Sequence, residues 1–560
     1  MTKMKKIMKN PYFLITAVYI LAHFFMLILS GCWWDDWTFM THNLNYINEV
    51  ASQSGRPEWN LLVPLAWSSP NNGRILVFFL YLADAFFVYG FLRNCGLFDK
   101  EKSLLITWLF ILIPVNDARI LISNFAYSVG LFFFYLGMML FVFWNKMENS
   151  GKKIMCRIGL LIIFFVGFIL NSVLAYYYIL IGYLFVVEMI HSEEKNLFRK
   201  IFLSVWNVLK KYPDFFVLPF VYYIENKIFF PTYGVFENYN PVSFAGLIKC
   251  LIYVPVSMAK ALLHTVANWL TNINYYSVGL IMFAFLYIWY RDQTSVKEYK
   301  LSENILTFVL GLAILFMGIF PYVMVRGKTI DMIGVDGRDA VLVPLGAAMV
   351  ICSVVSLCKD RARKILVALI LILGIFGFNS LYLEWQKDYY YQLCMERLLD
   401  NDIIRENDTF FLAEVNETQI DGQRYYSLNT NAYHVFGDQT RFFIPKVSSL
   451  YILKDEKYVK EAIEVLDYSH MMKDYDPEDY CIDAVIDFWC VMTDAEVLDL
   501  KYLELFHPEL FTERLSGYGS MSVSTVDDDF TELLMEGYED GSVKTDLDVL
   551  MLLRQYPIGD

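Results

Sequence analysis

The chain has 560 residues, of which 57% are hydrophobic and 17% aromatic, whereas only 19% carry a charge. Its mean hydropathy of +0.40 excludes an ordinary soluble enzyme and is typical of a polytopic membrane protein. Residues 384–560 hold 38 acidic and 14 basic residues, whereas residues 1–383 hold 22 acidic and 32 basic residues. We therefore predict a basic membrane domain, residues 1–383, followed by an acidic soluble domain, residues 384–560.

Apolar segments recur along the first domain and predict about eleven transmembrane helices. They lie at 11–30, 73–92, 103–115, 125–144, 154–170, 173–190, 214–230, 273–290, 304–325, 339–357 and 364–383. The segments 103–115 and 214–230 are short for a hydrocarbon layer of about 30 Å, so we expect them to be tilted, kinked or buried among other helices. The first segment is long enough to span, and we expect it to be a span rather than a cleaved signal peptide.

Lysine and arginine predict the orientation of these spans. With a cytoplasmic N-terminus, the inner segments carry 22 of these residues and the outer segments about 8. This bias predicts a multi-pass protein of the bacterial cytoplasmic membrane with an extracytoplasmic C-terminal domain. The stretch 241–269 is interrupted by charge and predicts one or two helices in the outer interface. If that stretch spans instead, the C-terminal domain moves inside.

The C-terminal domain has the pattern of a mixed α/β fold. Residues 403–406 lead into a strand at 409–414, and further strands are expected at 424–428 and 441–447. Helical periodicity predicts helices at 456–468 and 495–506. The run 527–529 of three aspartates indicates a solvated loop, with calcium binding as the alternative. Nine cysteines without a CxxC pair favour free buried thiols over a Cys481–Cys490 bridge.

A first outer loop carries the most informative acidic residues, Asp35 and Asp36. They follow Gly31 within the sequence Trp33-Trp34-Asp35-Asp36-Trp37, and tryptophans are common at headgroup depth. A carboxylate at an outer membrane face can take a proton from a hydroxyl or hold a divalent cation against a phosphate. The alternative is a helix cap followed by a polar loop.

Basic residues at three further outer positions are candidates for holding an anion. Arg74 begins the second span behind Gly73, where a guanidinium matches phosphate in a fork geometry or extends to lipid headgroups. Asn116-Asp117-Ala118-Arg119 places an acid and a base in a second outer turn. The third cluster is a loop before the next-to-last span and contains Arg326, Lys328, Asp331, Asp336, Arg338 and Asp339.

One charged residue, Asp84, falls near the middle of the second span. Intramembrane carboxylates are functional or paired by default. Because Asp84 lies about 10 residues below the first outer loop, we interpret it first as a structural partner of another side chain.

The acidic first loop and the Asn71-Asn72-Gly73-Arg74 sequence at the second span resemble the GT-C superfamily of polytopic glycosyltransferases, especially bacterial O-antigen-type glucosyltransferases and uncharacterised relatives. The segment 320–328 and the following Gly337-Arg338-Asp339 are also similar to a stretch in those proteins. Their arginine is often followed by histidine, whereas Asp339 stands here, so no histidine role transfers. The resemblance covers roughly residues 1–385.

The resemblance implies sugar transfer from a polyprenyl-phosphate donor to a cell-envelope glycan or lipid-linked acceptor on the outer membrane face. Asp36, or Asp35, would be the general base or a metal ligand, and Arg74, Arg338 and Lys328 would hold the donor phosphate. Asp117 would complete the site as a second acid. Some relatives use Mg²⁺ or Mn²⁺, which would bind Asp35, Asp36 and Asp117.

Two alternatives remain open from the sequence. A transporter or flippase for a lipid-linked or envelope substrate would explain the many spans and Asp84, although it predicts internal repeats that we do not find. A scaffold for polymer assembly would use the acidic domain to bind a protein partner. The expected partners otherwise are the donor, the acceptor and membrane lipids, and no nucleic acid is expected.

Overall fold

A computed structural model describes the chain over residues 10–34, 36–37, 44–67, 69–148, 151–237, 241, 243, 245–271, 278–279, 281–286, 300–325, 331–414, 432, 435–437, 441–447, 450 and 481–556. The chain divides into two compact units. The first contains Met1–Leu29 and Ile47–Tyr382, and the second contains Ser30–Tyr46 and Leu383–Asp560. The loop that follows the first apolar helix thus groups with the C-terminal part of the chain.

The first unit is built from α-helices. In chain order they are α1 (Pro11–His23), α2 (Leu44–Gln53), α3 (Trp59–Trp67), α4 (Pro70–Asn94), α5 (Lys100–Leu112), α6 (Phe125–Asn145), α7 (Gly151–Gly167), α8 (Val173–Tyr176), α9 (Tyr178–His191), α10 (Leu197–Lys211), α11 (Pro213–Phe229), α12 (Ala245–Thr271), α13 (Leu301–Val323), α14 (Val343–Ser356) and α15 (Asp360–Leu399). Helix α2 begins in the residues of the second unit, and α15 passes from the first unit into the second after Tyr382.

Several of these helices are long and apolar enough to cross a bilayer. Among the described residues there are five, at Asn71–Asn94, Ile122–Asn145, Val173–His191, Leu301–Val323 and Asp360–Leu399. Shorter apolar helices occupy Pro11–Leu27 and Val343–Ser356. Since apolar helices with internally satisfied backbones are one of the two structures that span membranes, the first unit has the character of a helical membrane protein.

The structure refines the predicted segments in two places. Helix α5 has 13 residues and is buried along most of its length, as expected for the short segment 103–115. The stretch 241–269 contains a single helix, α12, of 27 residues with Pro255 inside it. The segment 273–290 lies largely outside the described residues.

The second unit contains a four-stranded sheet. Its strands are β1 (Thr409–Glu414), β2 (Phe442–Pro445), β3 (Ala484–Cys490) and β4 (Gly519–Thr525), in the order β2-β1-β3-β4. Strand β1 is parallel to both β2 and β3, whereas β4 is antiparallel to β3. The helices of this part are α16 (Asp402–Glu406), α17 (Asp494–Phe506), α18 (Pro508–Leu515), α19 (Asp528–Asp540) and α20 (Asp546–Gln555).

The strands and the last two helices enclose a hydrophobic core. Its fully buried members include Phe411, Ile444, Val485, Phe530, Leu534 and Val549. The predicted strands at 409–414 and 441–447 and the predicted helix at 495–506 are confirmed within a few residues by β1, β2 and α17. The predicted elements at 424–428 and 456–468 lie outside the described residues.

The structure contradicts one further prediction about the C-terminal part and confirms another. The aspartate run 527–529 is not a loop: Asp527 caps α19 by accepting from the backbone N–H of Phe530, and the next two aspartates form the first helical turn. The prediction was wrong because a run of acids also suits a helix N-terminus. The predicted free thiols are confirmed for the described cysteines, Cys481 and Cys490 included.

Candidate functional site

The described part of the first outer loop is packed into the second unit. Asp36 is fully buried, and its backbone N–H donates to the carbonyl of Trp33 over 3.0 Å. The ring of Trp33 packs edge-on against Trp385 with centroids 5.2 Å apart. The indole N–H of Trp37 donates to Oε1 of Gln392 over 3.0 Å. Trp33 and Trp37 are therefore buried protein contacts rather than anchors at headgroup depth, whereas Asp35 lies outside the described residues.

Arg74 is buried in the first unit, one turn into α4. The hydroxyl of Ser69 caps this helix by accepting from the N–H of Asn72, which places Arg74 at the start of the second turn. Its Nε donates to the carbonyl of Ile120 over 3.3 Å, and its Nη1 donates to the carbonyl of Leu29 over 3.3 Å. The guanidinium thus joins the start of α4 to two other segments, instead of extending freely toward lipid headgroups.

Asp117 is also fully buried and binds the third outer cluster. Both carboxylate oxygens accept from the backbone N–H of Gly334, over 3.0 and 3.2 Å. The preceding Asn116 adopts a left-handed conformation with φ of 59°, and its N–H donates to the carbonyl of Met332 over 2.8 Å. A Cβ at Gly337 would lie 3.1 Å from the carbonyl oxygen of Met332 and 3.3 Å from Oδ1 of Asp117, so the two loops pack tightly at this glycine.

The turn 116–120 is therefore the meeting point of three predicted clusters. Arg74 donates to its last residue, and Asp117 accepts from the loop that contains Arg338 and Asp339. Arg338 is half-buried and Asp339 is buried. Arg326 and Lys328 lie outside the described residues. An acid and two arginines that are far apart in sequence thus belong to loops that touch one another in the first unit.

Beneath this turn lies a cavity that the sequence analysis did not anticipate. It is lined by Val77, Tyr81, Asp84, Phe110, Asn116, Arg119, Asn124, Tyr127, Ser128, Leu131, Tyr135, Val341 and Pro344. Asp84 and Arg119 are 1% and 4% exposed. Oδ1 of Asp84 and Nη1 of Arg119 have no hydrogen-bond partner among the described residues. Because buried polar groups are normally satisfied, these two atoms mark a place for polar atoms of water or ligand.

Arg119 is held at the cavity by its own turn. Its Nε donates to the carbonyl of Asn116 over 2.7 Å, and its Nη2 donates to the carbonyl of Val115 over 2.9 Å. The guanidinium carbon lies 3.9 Å from the ring centroid of Tyr81, a cation–π contact. Arg119 is also a charged neighbour of Asp84, as predicted for a carboxylate inside an apolar segment.

Further buried polar side chains lie next to this cavity, because the ring of His23 packs edge-on against Tyr81, which lines it. Nδ1 of His23 is 2.8 Å from the hydroxyl of Tyr382, and Nε2 is 2.9 Å from the carbonyl of Ile111. The hydroxyl of Tyr19 donates to the carbonyl of Phe78 over 2.6 Å. The sequence does show a histidine and tyrosines inside predicted spans, where polar residues are notable. It does not show that these side chains contact one another.

A metal site is not visible among the described residues, where no three His, Cys, Asp or Glu side chains lie close enough to share an ion. Asp35, one of the three predicted ligands, lies outside that part of the chain. Binding of Mg²⁺ or Mn²⁺ by Asp35, Asp36 and Asp117 stays a prediction.

No protein-family model matches the chain, and no curated protein sequence matches it. The arrangement of its residues is therefore the remaining guide to function. The strongest arrangement is the buried turn 116–120, with Arg74 on one side, the loop 332–339 on the other, and the Asp84–Arg119 cavity below it.

Proposed function

We propose that the protein is a polytopic membrane glycosyltransferase of the GT-C type. It transfers a sugar from a polyprenyl-phosphate donor to a glycan or lipid-linked acceptor at the outer membrane face. The observation that carries the proposal is the junction at residues 116–120, which joins the loops of Arg74, Asp117 and Arg338. Sugar transfer from a polyprenyl phosphate releases that phosphate as the leaving group, and guanidinium groups match its charge and geometry.

In the proposed reaction, a carboxylate of the first outer loop is the general base. Asp36 is our first choice and Asp35 the second. The base removes the proton of the acceptor hydroxyl while that oxygen attacks the anomeric carbon, and the polyprenyl phosphate leaves with the bonding electrons. Direct displacement of this kind inverts the anomeric centre. Arg74, Arg338 and Lys328 stabilise the phosphate, and Asp117 orients the loop that carries Arg338.

The proposal includes a topology. About eleven spans place the N-terminus in the cytoplasm and the C-terminal unit outside, in agreement with the excess of lysine and arginine on the predicted inner segments. In this arrangement the junction at 116–120 faces the outer side. A short apolar helix such as α5, buried among its neighbours, allows the following turn to lie below the membrane surface.

A transporter or flippase is the second candidate, and the cavity is the observation that favours it. Asp84 and Arg119 are buried charges inside a helical membrane-like unit, each with a polar atom that lacks a partner among the described residues. Intramembrane charges of this kind often mark a substrate or proton path. A transporter predicts that Asp84→Asn abolishes movement of a lipid-linked substrate without any chemical transfer.

The test is transfer of radiolabelled sugar from a panel of short polyprenyl-phosphate sugars in membranes that contain the full chain. We expect Asp36→Asn to lower the rate about a hundredfold or more, the usual contribution of a general base. Asp402→Asn is the matched control, because Asp402 is exposed in the same unit as Asp36 and belongs to none of the predicted clusters. Its rate should stay near that of the wild type.

Two results would contradict the proposal. Full transfer by both Asp36→Asn and Asp35→Asn would remove the first loop from the chemistry. Dithionite bleaching of a fluorescent polyprenyl phosphate reports flipping in the same membranes. If the wild type moves this lipid across the bilayer but transfers no sugar, the transporter is the better description.

A further inference from the structure

Helix α10 divides sharply into an apolar and a polar face. At 100° per residue, one half of the helix carries Leu197, Phe198, Ile201, Phe202, Val205 and Trp206. The other half carries Arg199, Lys200, Asn207, Lys210 and Lys211. The apolar half is largely uncovered by protein, with Phe198, Phe202 and Trp206 exposed by 85%, 67% and 57%. Only Ser204 and Val208 of this helix are buried.

Both ends of α10 are fixed at the same end of the helical bundle. Helix α6 ends at Asn145, α7 starts at Gly151 and runs back, and α9 returns to end at His191. Five connecting residues, 192–196, lead to α10, so its first turn is at the level where α6 ends. Its last turn is close to that level too, because Tyr212 binds the end of α6 and Lys211 binds the second turn of α7.

The contacts at the last turn are direct. The hydroxyl of Tyr212 donates to Oδ1 of Asn145 over 2.7 Å, and Nη2 of Arg157 donates to the carbonyl of Lys211 over 3.1 Å. A helix of 15 residues is about 22 Å long. Since neither end leaves this level, α10 runs along the end of the bundle instead of crossing a bilayer.

The surface around α10 is basic. Besides the four basic residues of the helix, this end of the bundle carries Lys146, Lys152, Lys153, Arg157 and Lys195. The acids nearby are Glu148, Glu188, Glu193, Glu194 and Asp214. Two of them pair with basic residues, Glu194 with Arg199 over 3.3 Å and Asp214 with Arg157. Basic residues are therefore in excess.

We propose that α10 lies in the headgroup layer of the membrane and binds anionic phospholipid. The faces of Phe198, Phe202 and Trp206 enter the boundary between headgroups and acyl chains, and Lys210 and Lys211 bind lipid phosphates. The surrounding surface indicates that lipid covers the apolar face of α10. The exposed apolar surface continues onto Ile190 of α9 and onto Val217 and Phe220 of α11. This inference does not depend on the proposed sugar transfer.

The test uses the full chain in nanodiscs with Cys156→Ser, which removes the cysteine that is exposed among the described residues. A bimane label is placed by Phe202→Cys, and the matched control is Asn207→Cys on the polar face of the same helix. Phosphatidylcholine with a nitroxide at acyl position 5 or 12 reports depth. At position 202 we expect quenching at least about twofold stronger from position 5 than from position 12, and the control should instead be quenched by aqueous iodide.

The specificity for anionic lipid is tested with the same label. Nitroxide-labelled phosphatidylglycerol should quench the bimane at position 202 at least about twofold more than labelled phosphatidylcholine in the same mixed bilayer. Lys210→Glu together with Lys211→Glu should abolish this preference while the shallow quenching persists. Equal access of iodide to positions 202 and 207, or strongest quenching from acyl position 12, would overturn the interfacial placement. No preference for phosphatidylglycerol would overturn the lipid specificity.

Discussion

The two units of this chain bury opposite kinds of residue. The first unit exposes large apolar side chains such as Ile158 and Ile162 on α7, while Asp84 and Arg119 are buried. The second unit buries Phe411 and Val485, among others, and carries the acidic excess of the chain. This difference indicates that the two units suit different surroundings. In lipid, an apolar exterior with polar groups inside is stable, as in the first unit, whereas in water an apolar core with a charged exterior is stable, as in the second.

The units also pack by different means. In the first unit, α13 and α14 approach closely at glycines, because a Cβ on Gly346 would lie 2.4 Å from the backbone nitrogen of Leu315. In lipid there is little hydrophobic gain from bringing helices together, so close backbone approach supplies the attraction. In the second unit, apolar side chains between sheet and helices supply it.

The largest effect is expected from Gly346→Val. The new side chain would overlap the backbone of α13, which cannot rotate out of the way, so the cost should exceed the about 1–3 kcal/mol that is usual for overpacking. We expect loss of the monodisperse peak when detergent-solubilised protein is examined by size-exclusion chromatography. Gly159→Val on α7 is the control, since nothing lies within 4 Å of a Cβ at that position. An unchanged peak for Gly346→Val would mean that α13 and α14 are not packed closely.

The second unit should respond most to Phe411→Ala. This side chain is fully buried in the core between sheet and helices, and its removal should cost about 3–5 kcal/mol. Proteolytic cleavage within residues 481–556 should accelerate about a hundredfold or more, measured by mass spectrometry of the fragments. Val491→Ala is the control, because Val491 is 54% exposed and should change the rate little. Similar rates for the two variants would refute a water-type core.

The sequence predicted those helices and strands whose own residues show a clear hydrophobic pattern. Residues 410–413 form a continuous apolar run between Thr409 and Glu414, and turn formers flank it, so β1 was predicted with its bounds. Strand β4 was missed because Gly519–Thr525 consists mainly of small polar residues. Its pairing with β3, from Ala484 opposite Thr525 to Cys490 opposite Gly519, defines it as a strand. A strand that forms because it pairs with a neighbouring strand is hard to recognise from its own residues.

The candidate site was predictable as residue types but not as an arrangement. The sequence placed Arg74, Asp117 and Arg338 in outer turns, and the structure joins those turns through backbone groups of Ile120 and Gly334. Backbone partners cannot be recognised from residue identity. The same holds for Trp33, whose contact with Trp385 groups the first loop with the C-terminal part of the chain.

The smallest effect concerns the cap of α17 in the second unit. Oγ1 of Thr493 accepts from the backbone N–H of Glu496, and Oε2 of Glu496 accepts from the N–H of Thr493 over 2.7 Å. Thr493→Ala should destabilise the helix start by about 1 kcal/mol. Amide hydrogen exchange in the first turn should accelerate about fivefold. Thr512→Ala, on the exposed side of α18, is the control and should change exchange little.

The cap also has a pH dependence of known sign. The N–H and the hydroxyl of Thr493 donate to the carboxylate of Glu496 and lower its pKa. A lowered pKa means that the stabilisation is complete above the unfolded value of 4.5 and is lost as the pH falls through the folded value. Wild-type exchange in the first turn, corrected for its intrinsic rate, should therefore rise relative to Glu496→Gln as the pH drops below about 4.5. Parallel pH profiles for the two proteins would show that the carboxylate does not hold this cap.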